Sequence, residues 1–315
     1  MLDHLDVVIG QDAAKKYVRT AIRKNNLYNL LFVGPRGVGK RILGFALAKA
    51  LGCPPNSPNF HLIAPIPSKI KDKSDKIHEY SKQYLPDNIL VETEDRASIL
   101  IEQIRNLSER LMHMPGVGTK RVVLILEADR MTDEAANCFL KTLEEPPIDT
   151  VFILTSSRPE KLLPTIRSRC RVVPFTYLNR EQIAKIIFEG KDDFILGSPG
   201  EILNIRESGM ISNVADVFRK APMSIKYAAS IAREYERKNI LELYYPLLLL
   251  YRCVLYRKLN LASNVRYENE IARKAKRVTL DKIVDTIVLL NQNICLLERN
   301  PNRLLNLFDV LLKLP

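Results

Sequence analysis

A glycine-rich stretch near the start of the sequence contains the residues best suited to chemistry. It follows the apolar run Leu30-Leu31-Phe32-Val33, precedes a helical pattern over 42–51, and reads Gly34-Pro35-Arg36-Gly37-Val38-Gly39-Lys40-Arg41. A strand, a glycine-rich loop and a helix in this order form the phosphate-binding Walker A motif. Its glycines let backbone N–H groups surround phosphate oxygens, and its lysine adds a positive charge. The stretch therefore predicts a nucleotide site that includes Gly34, Gly37, Gly39 and Lys40.

The last position of this motif departs from the pattern. Functional loops place Ser or Thr there, and the hydroxyl helps to hold Mg²⁺. Here the residue is Arg41, whose guanidinium has donors only and cannot bind a cation. The sequence therefore predicts a degenerate site that binds nucleotide weakly or not at all. One hypothesis is that Arg41 itself fills the phosphate site as an internal cation.

A second apolar run, 122–126, ends in Glu127-Ala128-Asp129 and has the form of a Walker B strand. Such a strand normally ends in an Asp that helps to hold Mg²⁺, followed by a Glu that polarises the attacking water. In one register Leu126 replaces the Asp and Glu127 has the position of the base. In the other, Glu127 or Asp129 is the metal ligand. The first register needs no gap before the motif at 141–147 and is favoured, and it leaves Mg²⁺ without protein ligands.

These residues need a scaffold, and the first 175 residues have the pattern of an α/β domain. Strand-like and helix-like stretches alternate, which predicts a parallel sheet wrapped by helices. The predicted strands are 30–33, 89–91, 122–126, 151–155 and 172–175, and the predicted helices are 12–24, 40–51, 96–112 and 133–143. The segment 54–86 carries six prolines and is interpreted as a surface insertion.

Beyond residue 175 the strand patterns end and the chain becomes helical. Breaks occur at Gly190 and at Gly197-Ser198-Pro199-Gly200, and helical patterns dominate from about Ala221 onward. Two stretches, 280–297 and 302–314, have clear helical spacing of apolar residues. The sequence therefore predicts three domains, over 1–175, 176–220 and 221–315.

Composition limits the classes of protein that fit. The chain has 315 residues, 46% of them hydrophobic, and a net charge of +12, which favours acidic partners such as nucleic acid. Eight basic residues lie within 251–277, and either a solvated helical face or a contact surface would explain them. The five cysteines are widely spaced, so a zinc site is not expected. The same spacing suits reduced thiols, and a cytoplasmic location is therefore expected. No membrane span or signal peptide is predicted.

Several further motifs together are highly selective. They are Val8-Ile9-Gly10-Gln11, Asn137, Lys141-Thr142-Leu143-Glu144-Glu145-Pro146-Pro147 and Ser168-Arg169-Cys170. On these residues the sequence resembles the clamp-loader branch of the AAA+ ATPases. Within that branch it most resembles the delta-prime subunits of bacterial DNA polymerase III. Gly200 decides this, because ATP-hydrolysing relatives have an arginine, called sensor 2, at that position.

The resemblance implies a fold, a role and partners. It implies an AAA+ domain, a small helical lid and a C-terminal helical collar that holds a hetero-oligomeric loader together. Arg169, with Ser168, would be an arginine finger that reaches the nucleotide of a neighbouring subunit, and Gln11 would approach adenine. The chain would be a non-hydrolysing stator of the DNA polymerase III holoenzyme. Its partners would be gamma/tau-type and delta-type subunits, the sliding clamp and primed DNA, and it would require neither a cofactor nor a metal.

Two other functions stay open. An ATP-hydrolysing gamma/tau-type motor subunit would use Lys40 and Glu127, but three positions disfavour it, namely Arg41, Leu126 and Gly200. Each lost metal or transition-state contact lowers a rate by orders of magnitude. A stand-alone DNA-binding protein would fit the charge but leaves the Ser-Arg-Cys motif unexplained. For Arg169, the alternative to an arginine finger is a surface ion pair.

Overall fold

The computed structural model describes residues 2–27, 29–67, 80–86, 88, 97–112, 119–186, 198–207, 210–236, 240–261, 267–297 and 302–315. The chain divides into two compact units. The first comprises Met1–Ile186 with Gly197–Glu201, and the second comprises Ile187–Leu196 with Ile202–Pro315. The division into three domains stays a prediction.

The first unit is built on a five-stranded sheet. Its strands, in chain order, are β1 (Leu30–Val33), β2 (Phe60–Ile63), β3 (Arg121–Ile125), β4 (Thr150–Ser156) and β5 (Arg171–Pro174). They lie in the order β2-β3-β4-β1-β5, and every neighbouring pair is parallel. The central strands are continuous apolar runs because both faces of a parallel sheet are covered by helices. The predicted parallel α/β sheet is confirmed.

Helices cover both faces of this sheet. They are α1 (Asp12–Arg23), α2 (Lys40–Ala50), α3 (Ile101–Met112), α4 (Asp133–Glu144), α5 (Pro164–Ser168) and α6 (Arg180–Ala184). One apolar cluster joins Leu43 and Leu47 of α2 to Leu124 of β3. The other joins Phe139 of α4 to Phe152 of β4, with their ring centroids 5.5 Å apart. The two clusters fix the strand ends, and these ends carry the candidate site.

The interpretation of 54–86 as a surface insertion is wrong for its described residues. Phe60–Ile63 is edge strand β2, which pairs with β3, and the ring of Phe60 lies 5.6 Å from that of Phe45. Tyr84 is only 2% exposed, and its hydroxyl donates a hydrogen bond of 3.2 Å to the Pro65 carbonyl. The prolines flank these elements without interrupting them. The predicted strand 89–91 lies outside the described residues.

The second unit is helical, as predicted. Its helices are α7 (Pro199–Glu207, whose first turn belongs to the first unit), α8 (Met210–Lys220), α9 (Ile225–Glu236), α10 (Leu241–Lys258), α11 (Glu268–Arg277), α12 (Leu280–Leu296) and α13 (Arg303–Lys313). Helix α10 is central: Leu247, Leu250 and Val254 are fully buried, and α8, α11 and α12 pack against it. Within the described residues, no helix is both long and apolar enough to cross a membrane.

Two lysines of the basic stretch 251–277 have structural roles in the second unit. The Lys258 ammonium donates to the carbonyls of Ala275 and Val278, both at 2.8 Å, and so caps the end of α11. The buried Lys274 ammonium donates to the carbonyls of Phe218 and Ala221 at 2.6 and 3.0 Å. Cations at helix C-termini offset the helix dipole. Part of the charge that could have indicated a nucleic-acid surface therefore holds helices together.

Candidate functional site

The glycine loop lies at the carboxyl end of β1, as its sequence predicts. Gly37 and Gly39 both adopt left-handed backbone conformations, with φ of 68° and 101°. Gly39 precedes the first turn of α2, so the N-terminus of that helix faces the loop. A loop of this kind can receive an anion through backbone N–H groups. The geometry of a phosphate-binding loop is therefore retained.

The lysine of the loop is already bound by protein groups. The Lys40 ammonium donates to the Gly34 carbonyl at 2.5 Å, to the Pro35 carbonyl, and to the Ser157 hydroxyl at 3.0 Å. Burial lowers the pKa of Lys40 to about 8, and the carboxylates of Asp129 and Glu127 oppose that shift. A phosphate that binds here must compete with those acceptors for the ammonium.

Arg41 reaches a different part of the chain. Its guanidinium donates to the Asn88 carbonyl at 2.5 Å and to the Tyr84 carbonyl at 3.4 Å. Burial lowers the pKa of the Arg41 guanidinium. The residue at the metal-binding position of the motif thus fastens the segment around 84–88 to α2. This differs from the hypothesis that Arg41 fills the phosphate site.

The end of β3 carries an apolar residue followed by two paired carboxylates. Leu126 is 2% exposed and offers no ligand to a cation. Glu127 lies 2.6 Å from Arg130 (Oε2 to Nε) and 3.9 Å from Arg36 (Oε2 to Nη2). Both registers of the Walker B strand therefore lead to a carboxylate held by arginine.

Asp129 is the second of these carboxylates, and it ties β3 to β4. It accepts hydrogen bonds from the Ser156 hydroxyl at 2.7 Å, the Ser157 N–H at 3.3 Å and Arg158 Nε at 3.1 Å. Its side chain is 3% exposed. Charge-assisted hydrogen bonds of this kind are strong, so this carboxylate is held in place by the protein's own donors.

The Gln11 side chain links two segments of the first unit by hydrogen bonds. Its amide nitrogen donates to the carbonyls of Val38, at 3.2 Å, and Thr176, at 2.7 Å. Its amide oxygen accepts from the Thr176 N–H at 3.1 Å. The side chain predicted to approach adenine thus joins the glycine loop to the segment after β5, and both ends of its amide are engaged.

Gly200 contacts the glycine loop directly. Its N–H donates to the Gly37 carbonyl at 3.0 Å, and the Ser198 hydroxyl donates to the Arg36 carbonyl at 2.6 Å. A Cβ atom at Gly200 would lie 2.7 Å from the Cα atom of Gly37. The position at which a sensor 2 arginine would be expected in a hydrolysing subunit is therefore a close contact between two backbones.

Arg169 lies at the other end of the sheet. It lies two residues before the start of β5, whereas the glycine loop follows β1. The two strands are parallel neighbours that pair Leu30 with Arg171 and Val33 with Pro174. A strand rises about 3.3 Å per residue, so the four residues of β1 separate Arg169 from Lys40 by roughly 10 Å or more. The structure does not bring the arginine and the lysine together.

The three residues of the Ser-Arg-Cys motif differ in burial: Cys170 is buried, whereas Arg169 carries a partly exposed charge. Cys170 is buried in an apolar cluster of the first unit, and Ser168 donates to the Thr165 carbonyl at 3.0 Å. Arg169 keeps 35% of its side chain exposed and pairs with Glu144, with 2.6 Å between Nη2 and Oε1. The surface ion pair that was the alternative explanation of Arg169 is therefore present.

A family model described as "DNA polymerase III, delta subunit" matches residues 10–179, more than half of the chain. The chain belongs to this family. The match covers the glycine loop, the strand ends and the Ser-Arg-Cys motif, and it makes the protein a member of the clamp-loader proteins.

Named relatives are of two kinds. A DNA polymerase III subunit delta' of Pseudomonas aeruginosa is 34% identical over 149 residues, which are 47% of this chain and 43% of the relative. A subunit delta' of Bacillus subtilis is 33% identical over 180 residues, 57% of this chain and 51% of the relative. A subunit tau of Salmonella typhimurium is 31% identical over 177 residues, 56% of this chain and 26% of the relative. The chain thus spans about half or less of the length of these relatives.

Among solved structures, a gamma subunit-related protein of Thermotoga maritima is similar to this chain. It is 18% identical, with a TM-score of 0.44, and the match covers 95% of this chain and 97% of that one. The α/β sheet domain and the helical C-terminal region predicted from the sequence are confirmed by the strands and helices described above.

Sequence reasoning found the charged residues of this DNA polymerase III family member but missed their partners. Asn29, 8% exposed, donates from its amide nitrogen to the Leu143 carbonyl at 3.3 Å and to the Arg169 carbonyl at 3.2 Å. Glu144 was noticed only as part of a motif. These partners are more than 20 residues apart in the chain, so no local spacing could have indicated the contacts.

Proposed function

We propose that this protein is a delta-prime-type stator of a DNA polymerase III clamp loader. It would not hydrolyse ATP itself. It would present Arg169 to the nucleotide site of an adjacent subunit and help to load the sliding clamp onto primed DNA. The observation that carries the proposal is the position of Arg169, partly exposed at the sheet end opposite to the protein's own glycine loop.

The position of Arg169 favours action on another chain. An arginine finger must place its guanidinium on the γ-phosphate of the nucleotide that it activates. Arg169 lies too far from Lys40 to reach a phosphate on its own loop. Its side chain can meet a nucleotide only if a second molecule supplies one.

The loop itself supports a role without hydrolysis. Magnesium would need oxygen ligands at the positions of Arg41 and Leu126, and neither side chain offers one. Glu127 and Asp129 remain near the loop, but arginines and serines bind their oxygens. The residues present therefore fit a phosphate better than they fit a metal–nucleotide complex, and any ATP or ADP binding would be weak.

The second unit supports a role in assembly. Helix α12 buries Ile283 and Leu290, but leaves a separate apolar row exposed: Leu280, Val284 and Val288 are 39%, 42% and 46% exposed. Apolar side chains on an outer helix face are typical of surfaces that bind other subunits. We assign this row to contacts within the collar of the loader.

The competing function is that of an ATP-hydrolysing motor subunit. It is favoured by the retained Lys40 and by the similarity to proteins named tau. The two functions differ in the activity of the isolated chain. A stator should show no hydrolysis above background, whereas turnover at the ~1–10³ s⁻¹ of ordinary enzymes that is abolished by Lys40→Ala would establish the motor.

The arginine finger is tested in the assembled loader. Arg169→Ala should leave folding and assembly intact and lower DNA-stimulated ATP hydrolysis by the complex. In other nucleotide hydrolases an arginine finger accelerates the reaction by about 10³–10⁵, and a loader with several sites should lose less. Arg169→Lys should not restore the rate, because an ammonium lacks the planar fork of a guanidinium. Unchanged hydrolysis would show that Arg169 is no arginine finger, and failure to assemble would show that it is structural.

A further inference from the structure

The guanidinium of Arg169 is held by two acceptors of its own chain. Nη2 lies 2.6 Å from Glu144 Oε1, and Nη1 donates to the Thr165 carbonyl at 3.1 Å. The two acceptors bind different nitrogens, so together they fix the plane of the guanidinium as well as its position. Arginine carries five donors, and among the residues that the structure describes these two acceptors leave other N–H groups of Arg169 able to bind a further acceptor.

The backbone beneath this contact is fixed as well. Asn29 donates to the carbonyl of Leu143, the residue before Glu144, and to the carbonyl of Arg169 itself. The same residue accepts a hydrogen bond of 2.7 Å from the Arg171 N–H. One buried amide thus ties the end of α4 to the end of α5, and it fixes the backbone positions from which the side chains of Glu144 and Arg169 extend.

The ion pair leaves the guanidinium accessible to a further acceptor. The side chains of Arg169 and Glu144 are 35% and 49% exposed, and water and salt screen the charges of groups as exposed as these. Phosphate oxygens accept hydrogen bonds from a guanidinium as carboxylate oxygens do. A terminal phosphate can therefore bind the remaining N–H groups of Arg169 beside Glu144 without any change in the backbone.

We propose that Glu144 is a positioning residue for Arg169. In the free subunit its carboxylate holds the guanidinium in one orientation, and in the assembled loader it keeps that orientation while the remaining N–H groups bind the phosphate of the neighbouring subunit's nucleotide. The ion pair and the arginine finger are then simultaneous contacts of one side chain. This inference rests on the proposed function, because it concerns the same arginine.

The first test compares three variants in reconstituted loader with clamp and primed DNA. Glu144→Gln keeps the shape of the side chain and removes its charge. Glu144→Asp keeps the charge, but it is one methylene too short for the observed contact. Glu145→Gln is the matched control, because Glu145 is the next residue, is exposed, and makes no contact with Arg169 among those described.

Holding one flexible side chain in advance corresponds to about a two- to tenfold effect on a rate. The kcat for ATP should therefore fall two- to tenfold in Glu144→Gln and in Glu144→Asp, with an unchanged KM. Glu145→Gln should match the wild type. Combining Glu144→Gln with Arg169→Ala should give no loss beyond that of Arg169→Ala alone, because the carboxylate acts only through the arginine.

The second test uses the isolated chain and needs no activity. Nitrogen-15 NMR of the guanidinium groups should show restricted rotation for Arg169 in the wild type and in Glu145→Gln. In Glu144→Gln that restriction should be lost while the melting temperature stays the same. Free rotation in the wild type would overturn the inference.

The outcomes separate this inference from the proposed function. If Arg169→Ala lowers hydrolysis and Glu144→Gln does not, Glu144 is not a positioning residue while the arginine finger stands. A rise in hydrolysis in Glu144→Gln would also overturn the inference, because Glu144 would then inhibit. If Arg169→Ala has no effect on hydrolysis, the proposed function fails and this inference fails with it.

Discussion

At the scale of single residues, the nucleotide site is a set of charges that have found partners within the protein. Lys40 is bound by carbonyls of its own loop, and Arg41 by carbonyls near residue 84. Glu127 and Asp129 are paired with arginines. A site in which each of these four charged groups already has a partner has little to gain from a bound nucleotide, because every new contact replaces an existing one.

Arg41 gives a prediction at this scale. Arg41→Thr restores the hydroxyl of the motif and removes both contacts to the 84–88 segment. We expect faster amide hydrogen exchange over residues 80–88, since the segment loses the cation that fastens it to α2. We expect no gain in ATP hydrolysis, because Leu126 still offers no metal ligand.

Hydrogen-exchange mass spectrometry of the variant measures the first effect, and phosphate release measures the second. Arg36→Thr is the control, since Arg36 lies in the same loop but contacts Glu127 at 3.9 Å rather than the segment. Equal exchange in Arg41→Thr and the wild type would show that these two hydrogen bonds do not hold the segment.

The sequence identified most of these residues because chemistry restricts their types. A glycine loop with lysine, an arginine at a metal position and a Ser-Arg-Cys motif can all be recognised locally. The acceptors could not be recognised, because backbone carbonyls are present at every residue and carry no signature. The partners of Arg41 and Arg169 emerge only when the chain is folded.

At the scale of elements, strands with uninterrupted apolar runs were predictable and the edge strand β2 was not. β3 and β4 contain the continuous apolar runs 122–125 and 151–154 because helices cover both faces of the sheet. β2 is short, contains His61 and lies among prolines. The strand forms because it pairs with β3, and no local pattern in the sequence indicates that pairing. The interpretation of 54–86 as a surface insertion fails for this reason.

Helix α12 shows a related limit. Apolar spacing predicted the helix correctly but could not tell which apolar row is buried. Among residues 280–297, the structure buries Ile283, Thr286, Leu290 and Asn293 and leaves Leu280 and Val284 exposed. Periodicity reports that a face is apolar, whereas the choice between two apolar faces depends on what packs against them.

The two rows of α12 can be separated by experiment. Val284→Asp should change the free energy of unfolding of the isolated chain by no more than about 0.5 kcal/mol, as for most surface substitutions. It should nevertheless weaken assembly with loader subunits, because it places a charge on the proposed collar surface. Ile283→Asp, at a fully buried position, should destabilise the chain by several kcal/mol, roughly the cost of an unpaired buried charge.

Chemical denaturation and co-purification with loader subunits measure the two effects. Normal assembly of Val284→Asp would exclude this row from the subunit interface.

At the scale of the whole molecule, the chain consists of two units with different sources of stability. The first relies on a sheet with an apolar cluster on each face. The second relies on helices held partly by lysine ammonium groups that bind backbone carbonyls, and one of them, Lys274, is buried. Lys274 lies 4.6 Å from the ring centroid of Phe218 and 5.4 Å from that of Tyr251, beside the two carbonyls it binds.

The lowered pKa of Lys274 should make the stability of the folded chain depend on pH. Burial lowers the pKa of Lys274 from 10.5 to about 8, with a smaller contribution from Arg277. Between those two pH values the unfolded chain still binds the proton and the folded chain has lost it, so stability rises with pH. Burial raises the pKa of Tyr251 above its usual range, so that hydroxyl stays neutral over this interval.

The measurement compares wild type with Lys274→Met by urea denaturation at pH 7.5, 9 and 10.5. The free energy of unfolding of the wild type, minus that of the variant, should increase with pH by about 1–3 kcal/mol. A difference that stays constant with pH would show that the ammonium is not penalised by burial.

The placement of Arg169 and the glycine loop at opposite ends of one sheet also gives the subunit a direction. On the proposed function, this chain supplies Arg169 to a neighbour at one end of the sheet. At the other end, its own glycine loop does not need an arginine from a neighbour because it hydrolyses no ATP. Identical subunits joined head to tail would form a ring in which every position is equivalent. A subunit that supplies an arginine but hydrolyses no nucleotide breaks that equivalence. The ring then has one distinct position, and the order of the remaining subunits is defined relative to it.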